Sequence, residues 1–211
     1  MSKKRSASSK RWLREHETDT YVQKARREGY RSRAVYKLEE LDQRDRLLKP
    51  GISIVDLGAA PGGWCQYIER KLGQRVRIVA TDILPMDPVS GTNFTFVLGD
   101  FREAAVLERI EAAVGAAQVD LVLSDMAPNI SGVDSADQAG TVHLAELALE
   151  FARKRLKPGG AFVVKLFQGE GFDVFLKEIR QAFTKVALRK PKASRPRSPE
   201  IYLVARGPRV V

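Results

Sequence analysis

From residue 52 onward the chain alternates short, nearly continuous apolar runs with longer segments of helical spacing. The runs are ISIVDL (52–57), VRIVATDI (76–83), FTFVLGD (94–100), VDLVLSDM (119–126) and AFVVKLF (161–167). Between them lie GGWCQYIERKLG (62–73), REAAVLERIEAAVG (102–115) and a long segment over roughly 137–157 that ends at KPGG. A strand with one wet face would alternate apolar and polar residues. These runs do not, so both of their faces are to be covered. Helix-length connections return each strand parallel to the one before. The pattern predicts an α/β fold with a mostly parallel sheet. A further helix, FDVFLKEIRQAF (172–183), precedes two last strands, KVALRK (185–190) and EIYLVARG (200–207). No helix separates these two, so they are expected to be antiparallel to each other. Their connector, PKASRPRSP (191–199), is too basic and proline-rich for a core.

A length of 211 residues suits one domain with a substantial core. The reading divides the chain into a basic, partly disordered extension over residues 1–30 and a single domain over 31–211. Within the extension, 11–28 has helical character. SRAVYKLEELDQRDRLL (32–48) predicts a second helix, with Ser32 as N-cap and Val35, Leu38, Leu41 and Leu47 on its apolar side. No repeats, heptads or second domain are visible.

Charge is uneven along the chain. The net charge is +10, yet residues 1–37 carry +8 and residues 185–211 carry +7, which leaves a mildly acidic body. Basic ends interleaved with Trp12, Tyr21, Tyr30 and Tyr36 suit a polyanion whose bases can stack. Candidate RNA contacts are Lys10, Arg11, Arg31, Arg33, Arg195 and Arg197. Cys65 is the only cysteine, and His16 and His143 are the only histidines. No disulfide within the chain is possible, metal sites built on these residues are disfavoured, and no metal is expected. The N-terminus lacks a signal-type apolar segment, and no run approaches the ~20 apolar residues of a membrane span. A cytoplasmic, membrane-free monomer is expected.

In a doubly wound sheet, ligands bind outside the carboxyl ends of the strands. There the sequence places one glycine-rich turn and four acids. The first run leads through Asp56 into GAAPGGW, whose glycines allow close approach to a ligand at a helix N-terminus. It matches neither a P-loop nor the dinucleotide fingerprint. The next three runs end in Asp82, Asp100 and Asp125. An acid closing the second strand suits ribose hydroxyls. Lys165 is the anomaly. An ammonium inside AFVVKLF must be paired, lose its proton, or point into a polar cavity.

With these motifs in view, the chain resembles the FtsJ-type ribosomal RNA 2′-O-ribose methyltransferases. The resemblance rests on DLGAAPGGW, ATDILPMDP, GDF, SDMAPNISG and KLFQGEGFD. It extends to KKRSASSKRWLREH and SRAVYKLEELDQ before them and to KPKASRPRSPEIYLVA after. It implies a Rossmann-like methyltransferase fold, with a mostly parallel seven-stranded sheet, a reversed last strand and helices on both faces. It also implies S-adenosylmethionine as cofactor and the assembled large ribosomal subunit as partner. The implied target is a uridine of the A-loop in 23S rRNA. The family's Lys-Asp-Lys-Glu tetrad falls on Lys37, Asp125, Lys165 and Glu200. By the same resemblance Gly62, Gly63 and Trp64 contact the methionine end of the cofactor, Asp82 its ribose, Asp100 the adenine amine, and Asp125 the region of the sulfonium. The residue types fit the chemistry. A ribose hydroxyl must lose its proton as it attacks, and a buried lysine amine can accept one. Competing readings are a non-catalytic ribosome-assembly factor, a metal-dependent nuclease, and a 2′-O-methyltransferase of another RNA such as tRNA or an mRNA cap.

Overall fold

In the computed structural model, residues 18–90, 93–128 and 134–209 are described. The apolar runs pair into one sheet of seven strands: β1 (Ile52–Leu57), β2 (Val76–Asp82), β3 (Phe94–Leu98), β4 (Val119–Ser124), β5 (Leu156–Phe167), β6 (Phe183–Arg189) and β7 (Glu200–Pro208). Their order is β3-β2-β1-β4-β5-β7-β6. The strands from β3 to β5 are parallel neighbours, and β7 runs antiparallel to both β5 and β6. This is the mostly parallel sheet with a reversed last strand that the sequence implied.

Period-two alternation decides what each face buries. On one face, Ile54, Ile78, Leu121, Leu123, Val163 and Val204 pack under α1 (Thr20–Arg27), α2 (Val35–Asp45) and α3 (Gly63–Leu72). On the other, Val55, Val79, Val97, Val122, Phe162 and Leu203 pack against α4 (Ala104–Val114), α5 (Asp134–Arg155) and α6 (Phe172–Ala182). Each fully buried leucine, isoleucine or valine in these rows contributes roughly 1.5–3 kcal/mol. Both layers are therefore needed to hold a sheet this apolar.

Three local expectations are revised. First, Ser32 is not an N-cap. The helix begins at Val35 after Ala34, and the Ser32 carbonyl closes a turn at the amide of Val35. Second, α5 ends at Arg155, and the KPGG segment belongs to the leading end of β5. The register against β4 jumps there, from Val119 opposite Leu156 to Leu121 opposite Ala161. Third, residues 18–30 share the packing of the domain. Asp19 caps α1 through the amides of Tyr21 and Val22, Val22 and Ala25 are buried, and the Tyr21 and Tyr36 rings lie 5.5 Å apart. Lys10 and Arg11 lie outside the described residues. Among the described residues no helix is long and apolar enough to cross a membrane.

Candidate active site at the carboxyl edge of the sheet

The row of each strand that faces α2 and α3 changes character at one edge. Apolar Ile54, Ala80, Leu123 and Val163 are each followed, two residues on, by Asp56, Asp82, Asp125 and Lys165. Strand β7 runs the other way, so its first residue, Glu200, arrives at the same edge. Lys165 sits opposite Tyr202 in the β5–β7 register, and Glu200 lies two residues before Tyr202, on the same face. The lysine in the apolar run is thus the last residue of a buried row, where the sheet gives way to a polar edge.

Its ammonium nitrogen is paired. Lys165 Nζ lies 3.0 Å from Asp125 Oδ1 and donates to the Asp125 carbonyl at 2.5 Å, with the residue only 8% exposed. Asp125 is itself fixed: its amide donates to the Leu57 carbonyl, and the Tyr202 hydroxyl donates to Oδ1 at 2.7 Å. Burial pushes the Asp125 carboxyl up. Lys165 and Lys37, with hydrogen bonds from Tyr202 and Lys165, outweigh burial and hold it below the ordinary carboxylate range. The second pair is Lys37, from α2, whose Nζ lies 2.8 and 2.9 Å from the two oxygens of Glu200. Lys37 also sits 5.8 Å from the centre of the Tyr202 ring. Burial would raise the Glu200 carboxyl, but Lys37 holds it down. Tyr202 is completely buried. Burial and then the charges of Asp125 and Glu200 push its hydroxyl well above the normal range, so it remains a donor.

Beside these pairs a cleft of about 430 Å³ opens outside β1, β2, β3 and β4, lined by Gly58, Asp82, Asp100, Met126 and His143 among others. A smaller cavity of about 160 Å³ shares Gly58, Ala60 and Asp125 with it and reaches Gly63 and Trp64. Two glycines are demanded here. Gly58 has φ +81°, and a Cβ on it would lie 2.7 Å from Met126 Cγ. Gly62 has φ +99°, and its Cβ would lie 2.7 Å from Arg31 Nη1. Asp82 accepts the amides of Ala60 and Leu84 at 2.9 and 2.8 Å, which ties the glycine turn to the end of β2. Two of the roughly four lone-pair sites of a carboxylate remain for a ligand.

A family model described as FtsJ-like methyltransferase matches residues 30–208. The chain belongs to that family. Several relatives carry the name ribosomal RNA large subunit methyltransferase E. The one from Xanthomonas oryzae pv. oryzae is 61% identical over 206 residues, 98% of this chain and 97% of its own. The one from Azoarcus sp. is 59% identical over 201 residues, 95% of this chain and 97% of its own. A crystal structure of a Plasmodium falciparum protein described as a ribosomal RNA methyltransferase superposes with a TM-score of 0.73 and 30% identity, covering 85% of this chain and 98% of that one. A Clostridium thermocellum rRNA-methylase structure, at 14% identity and a TM-score of 0.53, shares the fold.

For this FtsJ-like methyltransferase the sequence-predicted residues now have places. Lys37, Asp125, Lys165 and Glu200 converge as two ion pairs around Tyr202. Asp82 and Asp100 line the larger cleft, and Gly63 and Trp64 line the smaller cavity. Trp64 is a buried wall, and its indole N–H donates to the Ala34 carbonyl at 2.8 Å. Arg31 and Arg33 are tied to other parts of the fold. Arg31 donates to the carbonyls of Pro61, Asp87 and Pro88, and Arg33 pairs with Asp19 at 2.6 Å and donates to the Ala193 carbonyl. Arg195 Nε lies 3.7 Å from Asp19, and Arg197 is exposed. Two contributors escaped the sequence reading. Tyr202 would have been found by stepping two residues on from Glu200 along a reversed β7, opposite Lys165. Ser32 was assigned a cap, yet its Oγ is buried without a partner beside the smaller cavity.

Proposed function

We propose that this protein methylates the 2′-hydroxyl of a ribose in large-subunit ribosomal RNA, with S-adenosylmethionine as donor. The target is a uridine of the A-loop in 23S rRNA, presented by the assembled subunit. The observation that carries the proposal is Lys165, held by Asp125 at the buried edge of an apolar strand, next to a nucleoside-sized cleft.

The residues fit such a cofactor. A cleft of about 430 Å³ is of the size that holds a small ligand. Asp82 keeps acceptor capacity for ribose hydroxyls, and Asp100 stands at the same cleft as an acceptor for an amine. The smaller cavity suits the amino-acid end. Three of its lining residues keep a buried polar atom with no hydrogen-bond partner: Ser32 Oγ, Arg33 Nε and Asp56 Oδ1. The first two suit a carboxylate and the third an ammonium. The bound cofactor supplies an electrophilic methyl group on a sulfonium.

The chain's own residues then act on the hydroxyl. A ribose hydroxyl attacking such a methyl group would have to lose its proton. Two of the three positions on Lys165 Nζ face oxygens of Asp125, which leaves one for the ribose. An ammonium has no lone pair, so Lys165 takes the proton only from its neutral form, through the lone pair at that third position. As the ammonium it donates there and steers the attacking oxygen. Asp125 fixes Lys165 in either form. Lys37 is committed to Glu200, and its charge acts on the site from beside Tyr202. The relatives named for large-subunit rRNA supply the choice of RNA.

Single-turnover methyl transfer to large subunits tests the role of Lys165. Lys165→Ala should lose about 10²–10⁴-fold in rate. Lys165→Arg should lose nearly as much, because a guanidinium keeps the charge but accepts no proton near neutral pH. An arginine variant within a few-fold of wild type would remove Lys165 as the proton acceptor.

A further inference from the structure

One contact at the far end of the larger cleft has no part in the scheme above. Asp100, just past β3, is gripped by its neighbour but one. The Arg102 amide donates to Asp100 Oδ1 at 3.0 Å, Arg102 Nε lies 3.0 and 3.1 Å from the two oxygens, and Nη2 lies 2.6 Å from Oδ2. Both residues line the cleft. We infer that Arg102 is a positioning residue that locks Asp100 as a fixed, acceptor-only carboxylate and thereby selects a purine bearing an exocyclic amine. The inference rests on the cofactor reading and adds the basis of its base specificity.

The argument is one of acceptor capacity and rotation. Three N–H groups of one residue engage a carboxylate that offers about four lone-pair sites. The fork removes the rotational freedom of the carboxylate and leaves room for one more donor. A planar guanidinium does this because its nitrogens are spaced to match the two oxygens, whereas an ammonium would supply a point charge without the lock. The same hydrogen bonds hold the Asp100 carboxyl below its ordinary range against the push of burial, so it stays an acceptor. A 6-amino purine presents a donor to it. A 6-oxo purine presents an oxygen, and two acceptors then face each other.

The test is calorimetric titration of the full-length protein with S-adenosylhomocysteine and with its deaminated analogue, in which a 6-oxo group replaces the amine. Wild type should bind the amine form and discriminate against the oxo form. Arg102→Ala should bind the amine form about two- to fivefold more weakly, the scale of an ion pair whose arginine side chain is 60% exposed. The oxo form, which never used the contact, should change little, so discrimination falls. Arg102→Lys should resemble alanine more than wild type. A loss of fold or of the whole cleft would lower both affinities together, and that outcome overturns the inference. Unchanged or tighter binding of the amine form by Arg102→Ala overturns it too, the latter by making Arg102 a competitor. If wild type binds neither compound, the cofactor reading itself fails and takes this inference with it.

Discussion

At Asp56 a carboxyl group is completely buried with one oxygen unpartnered, while the other accepts from the Cys65 thiol at 3.1 Å. Burial is the main reason its carboxyl is pushed up to about 7. The Cys65 hydrogen bond opposes the shift, and Asp125 and Asp82 add to it. Because the folded value lies above that of an unfolded aspartate, the unfolded chain ionises first as pH rises. Stability linked to this group is therefore fully present below about pH 4 and is lost between about pH 4 and pH 7, by up to about 4 kcal/mol. Asp56→Asn is neutral throughout. Its melting temperature relative to wild type should climb by several degrees between pH 5 and pH 8. A difference that stays flat over that range would contradict a protonated Asp56 in the folded chain. Asp125, at the end of the neighbouring strand β4 and lining the same smaller cavity, behaves oppositely because two lysines face it. At this scale the acids at the strand ends were visible in the sequence, but which of them would be paired was not. That depended on whether a lysine from another strand or helix ended beside each one.

Helix α2 shows how an element organises the site from outside the sheet. It carries Lys37 to Glu200, and one turn later Glu40 accepts the amides of Lys192 and Ala193 at 2.7 and 2.9 Å. Arg33, just before the helix, takes the Ala193 carbonyl, and Lys190 donates back to the carbonyls of Ser198 and Glu200. The proline-rich connector is therefore a fixed loop that α2 positions. Glu40→Ala should release it: hydrogen exchange at the Lys192 and Ala193 amides should quicken by about tenfold or more, the equivalent of one charge-assisted hydrogen bond. Exchange in β1 and β4 should be unaffected. Unchanged exchange at 192 and 193 would mean that the sheet alone holds the connector. The elements themselves were legible, since apolar runs and helical spacing report burial directly. Long-range tethers were not. Nothing within residues 31–33 shows that the connector and the Asp87–Pro88 loop will come to meet them, so the ties that Arg31 and Arg33 make to those loops were not visible beside their reading as candidate RNA contacts. Ser32 read as a cap for the same reason.

For the whole molecule, folding brings together charges that are far apart in sequence. Asp19, at the start of the described chain, lies against Arg33 and near Arg195, so the first described residues sit beside the basic connector. The connector runs directly into Glu200, the partner of Lys37, while the acidic strand ends Asp82, Asp100 and Asp125 line the larger cleft. A cationic rim next to a cleft rich in carboxylates suits a polyanion outside and an adenosyl group within. The central claim is that the methyl group goes to a ribose oxygen of large-subunit rRNA. The direct measurement incubates the protein with labelled S-adenosylmethionine and either naked 23S rRNA or assembled large subunits, then hydrolyses the RNA with alkali. Alkaline cleavage needs a free 2′-hydroxyl, so a 2′-O-methyl nucleotide survives joined to its neighbour. The account predicts label in one alkali-resistant dinucleotide that begins with uridine, with assembled subunits the better substrate. Label recovered in mononucleotides, which would place the methyl on a base, or no transfer to either substrate, would contradict it.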